Sequence, residues 1–246
     1  MGPKTRLDRR LVLEGLAKTR EKAKALIMAG AVLVDGGRVD KPGRLVPETA
    51  SVTVKKKPFP YVGRGGVKLE AALRAFNVTV KDRVLLDVGA STGGFTDCLL
   101  RHGARRVFAV DVGYGQLDWR IRQDPRVTVL ERTNVRHLKP GDLGSPVDGA
   151  VIDVSFISLR LVIPPVSGLL APGGFIIALI KPQFEVGRGR VGKGGIVRDP
   201  GLHREVLAAL SSSFQAAGWA VNGQIPSPIP GAKGNREFLT YLTRRE

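Results

Sequence analysis

The chain is poor in the residues that build disulfide frameworks and metal centres. Its single cysteine, Cys98, excludes an internal disulfide, and its place in an amphipathic segment reads as core. The three histidines, His102, His137 and His203, are scattered without ligand spacing, which argues against a metal site. No apolar run approaches the roughly eighteen residues that a membrane span requires. Met1-Gly2-Pro3-Lys4 is followed by no apolar core of the signal-peptide kind, so a cytoplasmic protein is expected. Acids are also scarce. Asp and Glu number 22 against 39 Lys and Arg, a formal charge of +17 on 246 residues. Such an excess favours a polyanionic partner, nucleic acid before anionic membrane. The length suffices for one large domain and a small one, and a 43% hydrophobic content is that of an ordinary globular protein.

The positive charge is concentrated early. Residues 1–66 hold 15 basic and 6 acidic side chains, a net +9 on about a quarter of the chain. Two short helices are expected here, Leu7 to Leu16 with Thr5 as its cap, and Arg20 to Ala29 with Thr19 as its cap. Strand-like pieces follow at 31–34 and 51–54, separated by glycine and proline turns. Lys18, Arg20, Lys22 and Lys24 gather at the start of the second helix, where the amino end already favours phosphate. Together with Arg6, Arg9, Arg10, Lys55, Lys56 and Lys57 they form the candidate RNA-binding set. The strings Arg6-Leu7-Asp8, Ala17-x-Thr19-Arg20 and Ile27-x-x-Gly30-x-Val32-x-Val34-Asp35-Gly36 resemble the S-four RNA-binding domain.

Prolines 58 and 60 resist both helix and central strand. They place a linker at 58–66 between an RNA-binding module, 1–57, and a larger domain, 67–246. Beyond the linker the pattern alternates. A helix from Val67 to Phe76 precedes strands near 83–89, 106–111, 127–131, 149–154 and 174–180. A second helix runs from Gly201 to Ala217, and strands 219–225 and 237–243 close the chain as an antiparallel edge. This is an α/β fold with a parallel sheet covered on both faces, Rossmann-like in kind. The loop Gly187 to Gly195 holds G-x-G-x-x-G spacing but opens no helix of its own, and reads as a flexible basic flap.

The most telling stretch is Val84-Leu85-Leu86-Asp87-Val88-Gly89-Ala90-Ser91-Thr92-Gly93-Gly94-Phe95. A buried strand ends in an acid, a small-residue turn and a helix, the place where open α/β sheets bind ligands. A dinucleotide fingerprint is absent. The spacing Asp87-x-Gly89-x-Ser91-x-Gly93 instead resembles motif I of class I S-adenosylmethionine (SAM)-dependent methyltransferases. That resemblance implies SAM as cofactor, with Asp87, Gly89, Ser91, Gly93 and Phe95 around its methionine part. Asp111 ends the next strand, where an acid accepts both hydroxyls of a ribose. Val112 is then expected beside the base, and Asn134 at the adenine amino edge.

Four charged residues complete the picture. Asp153 and Lys181 end two strands at the ligand edge of the sheet, Lys68 opens the helix before the first strand, and Glu237 opens the last strand. A Lys-Asp-Lys-Glu set at these places resembles that of FtsJ-type RNA ribose 2′-O-methyltransferases. Gly65-Gly66-Val67-Lys68-Leu69, Asp153-Val154-Ser155-Phe156-Ile157-Ser158 and Lys181-Pro182-Gln183-Phe184-Glu185 are similar to the TlyA (haemolysin A) family, although Val67 stands where relatives often have histidine. The resemblance implies methylation of a ribose hydroxyl in ribosomal RNA, of a cytidine, on bare rRNA or a ribosomal subunit. Lys68, Asp153, Lys181 and Glu237 are then catalytic. Lys181 either takes the hydroxyl proton or, as a cation, stabilises the forming alkoxide. The rival readings are an RNA-binding ribosome-assembly factor without catalysis and, behind it, a haemolysin. The sequence leaves the oligomeric state open.

Overall fold

The computed structural model describes residues 3–28, 30–54, 59–187, 189–231 and 234–245. The chain divides into two units, residues 1–58 and 59–246. In the first, β1 (Lys4–Arg6) leads into α1 (Leu7–Leu13) and α2 (Arg20–Met28). Four short strands follow: β2 (Val32–Val34), β3 (Gly37–Val39), β4 (Leu45–Pro47) and β5 (Val52–Val54). β2 pairs antiparallel with both β3 and β5, and β1 with β4. Leu7 and Leu11, and Ala23 and Ile27, lie four apart on their helices, so each pair faces the same way and is fully buried against Val32, Val39 and Val46. The Thr19 hydroxyl accepts from the Lys22 amide at 3.2 Å, capping α2 as expected. α1 is shorter than expected, and Arg6 rather than Thr5 stands at its cap, with no side-chain bond.

The second unit begins with α3 (Gly65–Ala75) and continues through β6 (Val84–Val88), α4 (Gly94–Arg101), β7 (Arg106–Val110), α5 (Trp119–Arg122), β8 (Val127–Leu130) and β9 (Val147–Ile152). α6 (Leu159–Ser167), β10 (Leu170–Ile180), α7 (Pro200–Ala216), β11 (Trp219–Pro226) and β12 (Phe238–Arg244) complete it. The strands form one sheet in the order β11-β12-β10-β9-β6-β7-β8. β12 is antiparallel to both neighbours, and the remaining pairings are parallel. Adjacent strand residues point to opposite faces, so the sheet carries two cores. Leu86, Val88, Phe108, Val110 and Ile152 serve one; Leu85, Val107, Ala109, Val151 and Ile177 serve the other. Strand order reverses between β6 and β9, and the crevice at their carboxyl ends is where such sheets bind ligands.

Two features differ from the sequence reading. Residues Tyr61 to Gly66, expected in a linker, pack within the second unit: Tyr61 is buried in its core, and the Val62 amide donates to Asp97 at 2.8 Å. The helix α6 was hidden by Pro164 and Pro165 in its interior, where a missing amide normally breaks a helix. Its apolar face, Leu159, Val162, Ile163 and Val166, holds it to the sheet.

Candidate active site

The site is built around a turn that only glycine can make. Gly89 follows β6 with φ +85, and a Cβ there would lie 2.4 Å from the Asp153 carbonyl oxygen. The chain then passes through Ser91, itself at φ +49, to Gly93, which caps α4. Beneath the turn Asp87 is fully buried and accepts from the Thr96 hydroxyl at 2.6 Å. Its second oxygen has no hydrogen-bond partner among the described residues. Burial, reinforced by the nearby Asp153 and Asp111 charges and opposed by the Thr96 bond, pushes its pKa up to about 7.

Above the turn opens a cavity of about 710 Å³, lined by residues 89–92, Phe95, residues 62–65 and all four charged candidates. Lys68 arrives because α3 starts directly on the start of α4: a Cβ on Gly94 would be 3.1 Å from the Gly63 carbonyl oxygen. Burial of Leu69, Ala72 and Leu73 fixes the helix in that position. Losing the Leu69 side chain would cost about 2–5 kcal/mol and the placement of its neighbour. The four charges form two pairs. Lys68 donates to Glu237 at 2.5 Å, with side chains only 6% and 4% exposed. Lys181 lies 2.7 Å from Asp153 and donates to the Ser155 hydroxyl at 2.9 Å. Glu237 reaches this edge because β12 runs backwards: its first residue, Phe238, pairs with Ile180, the last of β10.

The remaining cofactor candidates sit differently. Asp111 spends one oxygen on the Ser91 amide and the other on the Gly113 amide, at 2.8 and 2.7 Å. It faces a narrow cleft beside the main cavity, between Ser91, Gln116 and Glu131. Val112 is exposed. Asn134 turns its side chain to its own backbone and caps the short helix Val135–His137 by accepting from the Arg136 amide, so the structure does not bring it to the cavity. Phe95 is buried and forms part of the cavity wall.

In the first unit, Arg9, Lys18 and Lys22 are exposed and Lys24 is half-buried. Arg6 and Arg20 hold the buried Asp8 at 3.0 and 3.1 Å. The Arg6 hydrogen bond foremost draws that carboxyl down to about 2. Arg10 is a correction to the sequence reading. It is buried, donates to the carbonyls of Pro47, Glu48 and Ala50 and pairs with Glu14 at 2.6 Å, so it holds the fold rather than facing a ligand. Lys55, Lys56 and Lys57 lie outside the described residues.

Ser155, Phe156 and Phe184, which had no role in the sequence reading, also line the cavity. Phe156 is 90% exposed with φ +64, and its ring lies 5.0 Å from that of Phe184. Asn235 is buried between the Val197 amide and the Gly195 carbonyl, tying residues 195–197 to the start of β12. An aromatic three residues after each strand-end charge, Phe156 after Asp153 and Phe184 after Lys181, is the signal that was available.

Comparison with known proteins bears on this geometry. The FtsJ-like methyltransferase family matches residues 61–244 and the S4 domain residues 5–52. A candidate rRNA methyltransferase of Bacillus subtilis, YqxC, is 55% identical over 97% of this chain and 85% of its own length. The 16S/23S rRNA (cytidine-2′-O)-methyltransferase TlyA of Mycobacterium tuberculosis is 48% identical, over 98% of this chain and 91% of its own. The solved structure of a candidate hemolysin from Streptococcus thermophilus is 45% identical with a TM-score of 0.76, covering 100% of this chain and 90% of that one. An S4 match followed by an FtsJ-like match, and full-length relatives at this identity, establish the lineage: the chain belongs to the TlyA (haemolysin A) family of FtsJ-like methyltransferases.

Proposed function

We propose that the protein methylates a ribose 2′-hydroxyl of ribosomal RNA, on a cytidine, with SAM as the methyl donor. The observation that carries this is the pair of ion pairs, Lys68–Glu237 and Lys181–Asp153, lining one cavity beside the Gly89 turn. The name of the M. tuberculosis relative supports cytidine as the nucleoside.

The residues fit the cofactor. Gly89 lines the cavity with backbone alone, and Ser91 and Phe95 wall the adjoining space. Gly93 shapes the turn, with Asp87 beneath it and Asp111 bracing it through the Ser91 amide. SAM, when bound, supplies a methyl group activated by its sulfonium. The protein's task is then to orient a weakly nucleophilic hydroxyl and manage its proton. An ammonium has three N–H bonds. Lys181 sits against Asp153 as an ion pair and donates one N–H to Ser155, which leaves N–H for the sugar oxygen as negative charge grows on it. Asp153 balances that ammonium, and the hydroxyl proton passes to water at the cavity mouth as the oxygen–methyl bond forms. Lys68, neutralised by Glu237, fixes the far wall. The exposed ring of Phe156 offers a face on which the target base can stack.

Arg9, Lys18, Lys22 and Lys24 in the S4 unit dock the substrate through its phosphates, on rRNA or a ribosomal subunit in the cytoplasm. Among the described residues no helix is long and apolar enough to cross a membrane. Lys181→Ala should abolish transfer of labelled methyl from SAM to rRNA while SAM affinity stays within a few-fold. Retained transfer removes Lys181 from the chemistry. No incorporation by the wild type would leave only an RNA-binding role.

A further inference from the structure

Two segments converge on the proposed reaction centre, residues 153–158 after β9 and residues 181–185 after β10. At their inner end Lys181 reaches Asp153 and Ser155, and midway the Phe156 and Phe184 rings meet. The outer end is closed by Glu185. One of its oxygens accepts from the Ser158 hydroxyl at 2.6 Å, the other from the Leu159 amide at 2.8 Å. Leu159 opens α6, so this carboxylate grips the first turn of a helix from the neighbouring strand end. Glu185 does not line the cavity itself. Burial raises its pKa above the usual carboxylate range, and the two donors oppose that rise.

Between the two ties lies Phe156, whose φ of +64 is a conformation that a bulky side chain avoids. Such a residue persists where its surroundings over-determine it. The chain from Asp153 to Leu159 is anchored at both ends to the 181–185 segment, which supplies that constraint. We propose that Glu185 is a positioning residue for methyl transfer: by gripping Ser158 and Leu159 it holds the 153–158 loop, with Asp153 and Phe156, in register with Lys181. This rests on the reading of the cavity as a ribose methylation site.

The test compares full-length wild type, Glu185→Ala and Glu185→Gln. Steady-state transfer from labelled SAM to deproteinised rRNA and to isolated ribosomal subunits is measured beside SAM affinity and hydrogen exchange at the Leu159 amide. Glu185→Ala should lower kcat by about 10- to 100-fold, the scale of an ångström-sized misplacement, while the Kd for SAM stays within about twofold. Its Leu159 amide should exchange faster. Glu185→Gln keeps an acceptor for that amide and a polar group for Ser158, so it should recover most of kcat.

An active wild type together with a Glu185→Ala kcat within about threefold of it would overturn the proposal. So would a Glu185→Gln variant as inactive as the alanine one despite a protected Leu159 amide, because the charge itself would then be needed. If Glu185→Ala fails to fold, Ser158→Ala and Ser158→Asn carry the test together: both remove the hydroxyl that Glu185 holds, only the asparagine can still cap α6 by accepting from the Arg160 amide, and the Leu159 bond stays in both. A several-fold fall in the kcat of both variants supports the proposal, and an unchanged kcat in Ser158→Asn overturns it. A wild type that methylates neither substrate would overturn the reading of the site itself.

Discussion

Lys68 and Glu237 stand 169 positions apart in sequence and 2.5 Å apart in the fold, with almost no exposed surface on either side chain. Glu237→Ala therefore strands an ammonium with no counter-charge in a buried place, and Lys68→Ala strands a carboxylate. Breaking a buried pair in this way costs about 3–5 kcal/mol. Removing both charges together, as Lys68→Met with Glu237→Leu, should cost far less, because a buried pair replaced by apolar groups of similar volume is often close to neutral. The single variants and the double should then differ from additivity by at least about 2 kcal/mol. The chain offers a selective probe. Its two tryptophans, Trp119 and Trp219, both lie in the second unit, and Trp219 is 1% exposed. Tryptophan fluorescence across a urea gradient thus reports the unfolding of that unit alone. Single variants costing less than about 1 kcal/mol, or a double variant costing the sum of the singles, would refute the argument. The double variant should also be stable and inactive, which separates folding from chemistry at this position.

Other outcomes follow from the same geometry. The folded-state pKa of Asp87, about 7, lies above the ordinary carboxylate value of 3.8, so the folded protein binds more protons than the unfolded chain between these values. Its contribution to stability is present in full below pH ~4 and is lost as pH rises to ~7. Asp87→Asn should flatten that slope, as urea midpoints at pH 5 and pH 8 would show, and an unchanged slope would deny the assignment. Gly89→Ala would drive a Cβ into the Asp153 carbonyl at φ +85, so SAM affinity measured by calorimetry should fall sharply; near wild-type binding would mean that the turn tolerates a shift. Removal of residues 1–57 should weaken rRNA binding and flatten its dependence on salt, because fewer counterions are released, while SAM binding persists. Equal RNA affinity in the truncated protein would discharge the first unit from docking.

Much of this was legible because strand and turn signals are local. The run from Val84 to Val88 needs only its own apolar residues to read as a buried strand, and Gly89 and Gly93 announce the turn. Asp153, Lys181 and Glu237 could be placed at one sheet edge from strand termini and Lys68 from the helix before the first strand, but their pairing could not be read. Whether Lys68 meets Glu237 or Asp153 depends on β12 running backwards beside β10, a property of the sheet and not of any window of sequence. Arg10 misled for a related reason: an arginine that satisfies three backbone carbonyls looks, in sequence, like any other member of a basic cluster. Asn134 was ambiguous because the same amide that could recognise a base also caps a helical turn. The helix α6 was concealed by its prolines, although Ser158 at its cap and Glu185 beyond it were both in plain view.

The reversed strand has an effect on how the enzyme can fail. Six parallel-running strands could assemble the cofactor turn and the Lys181–Asp153 pair, yet Lys68 would remain without its acid until β12 slides between β10 and β11. A product cut short of that strand is therefore no half-working version of the enzyme. It carries a charge with no acid to meet it, and its second unit should unfold at a lower urea concentration.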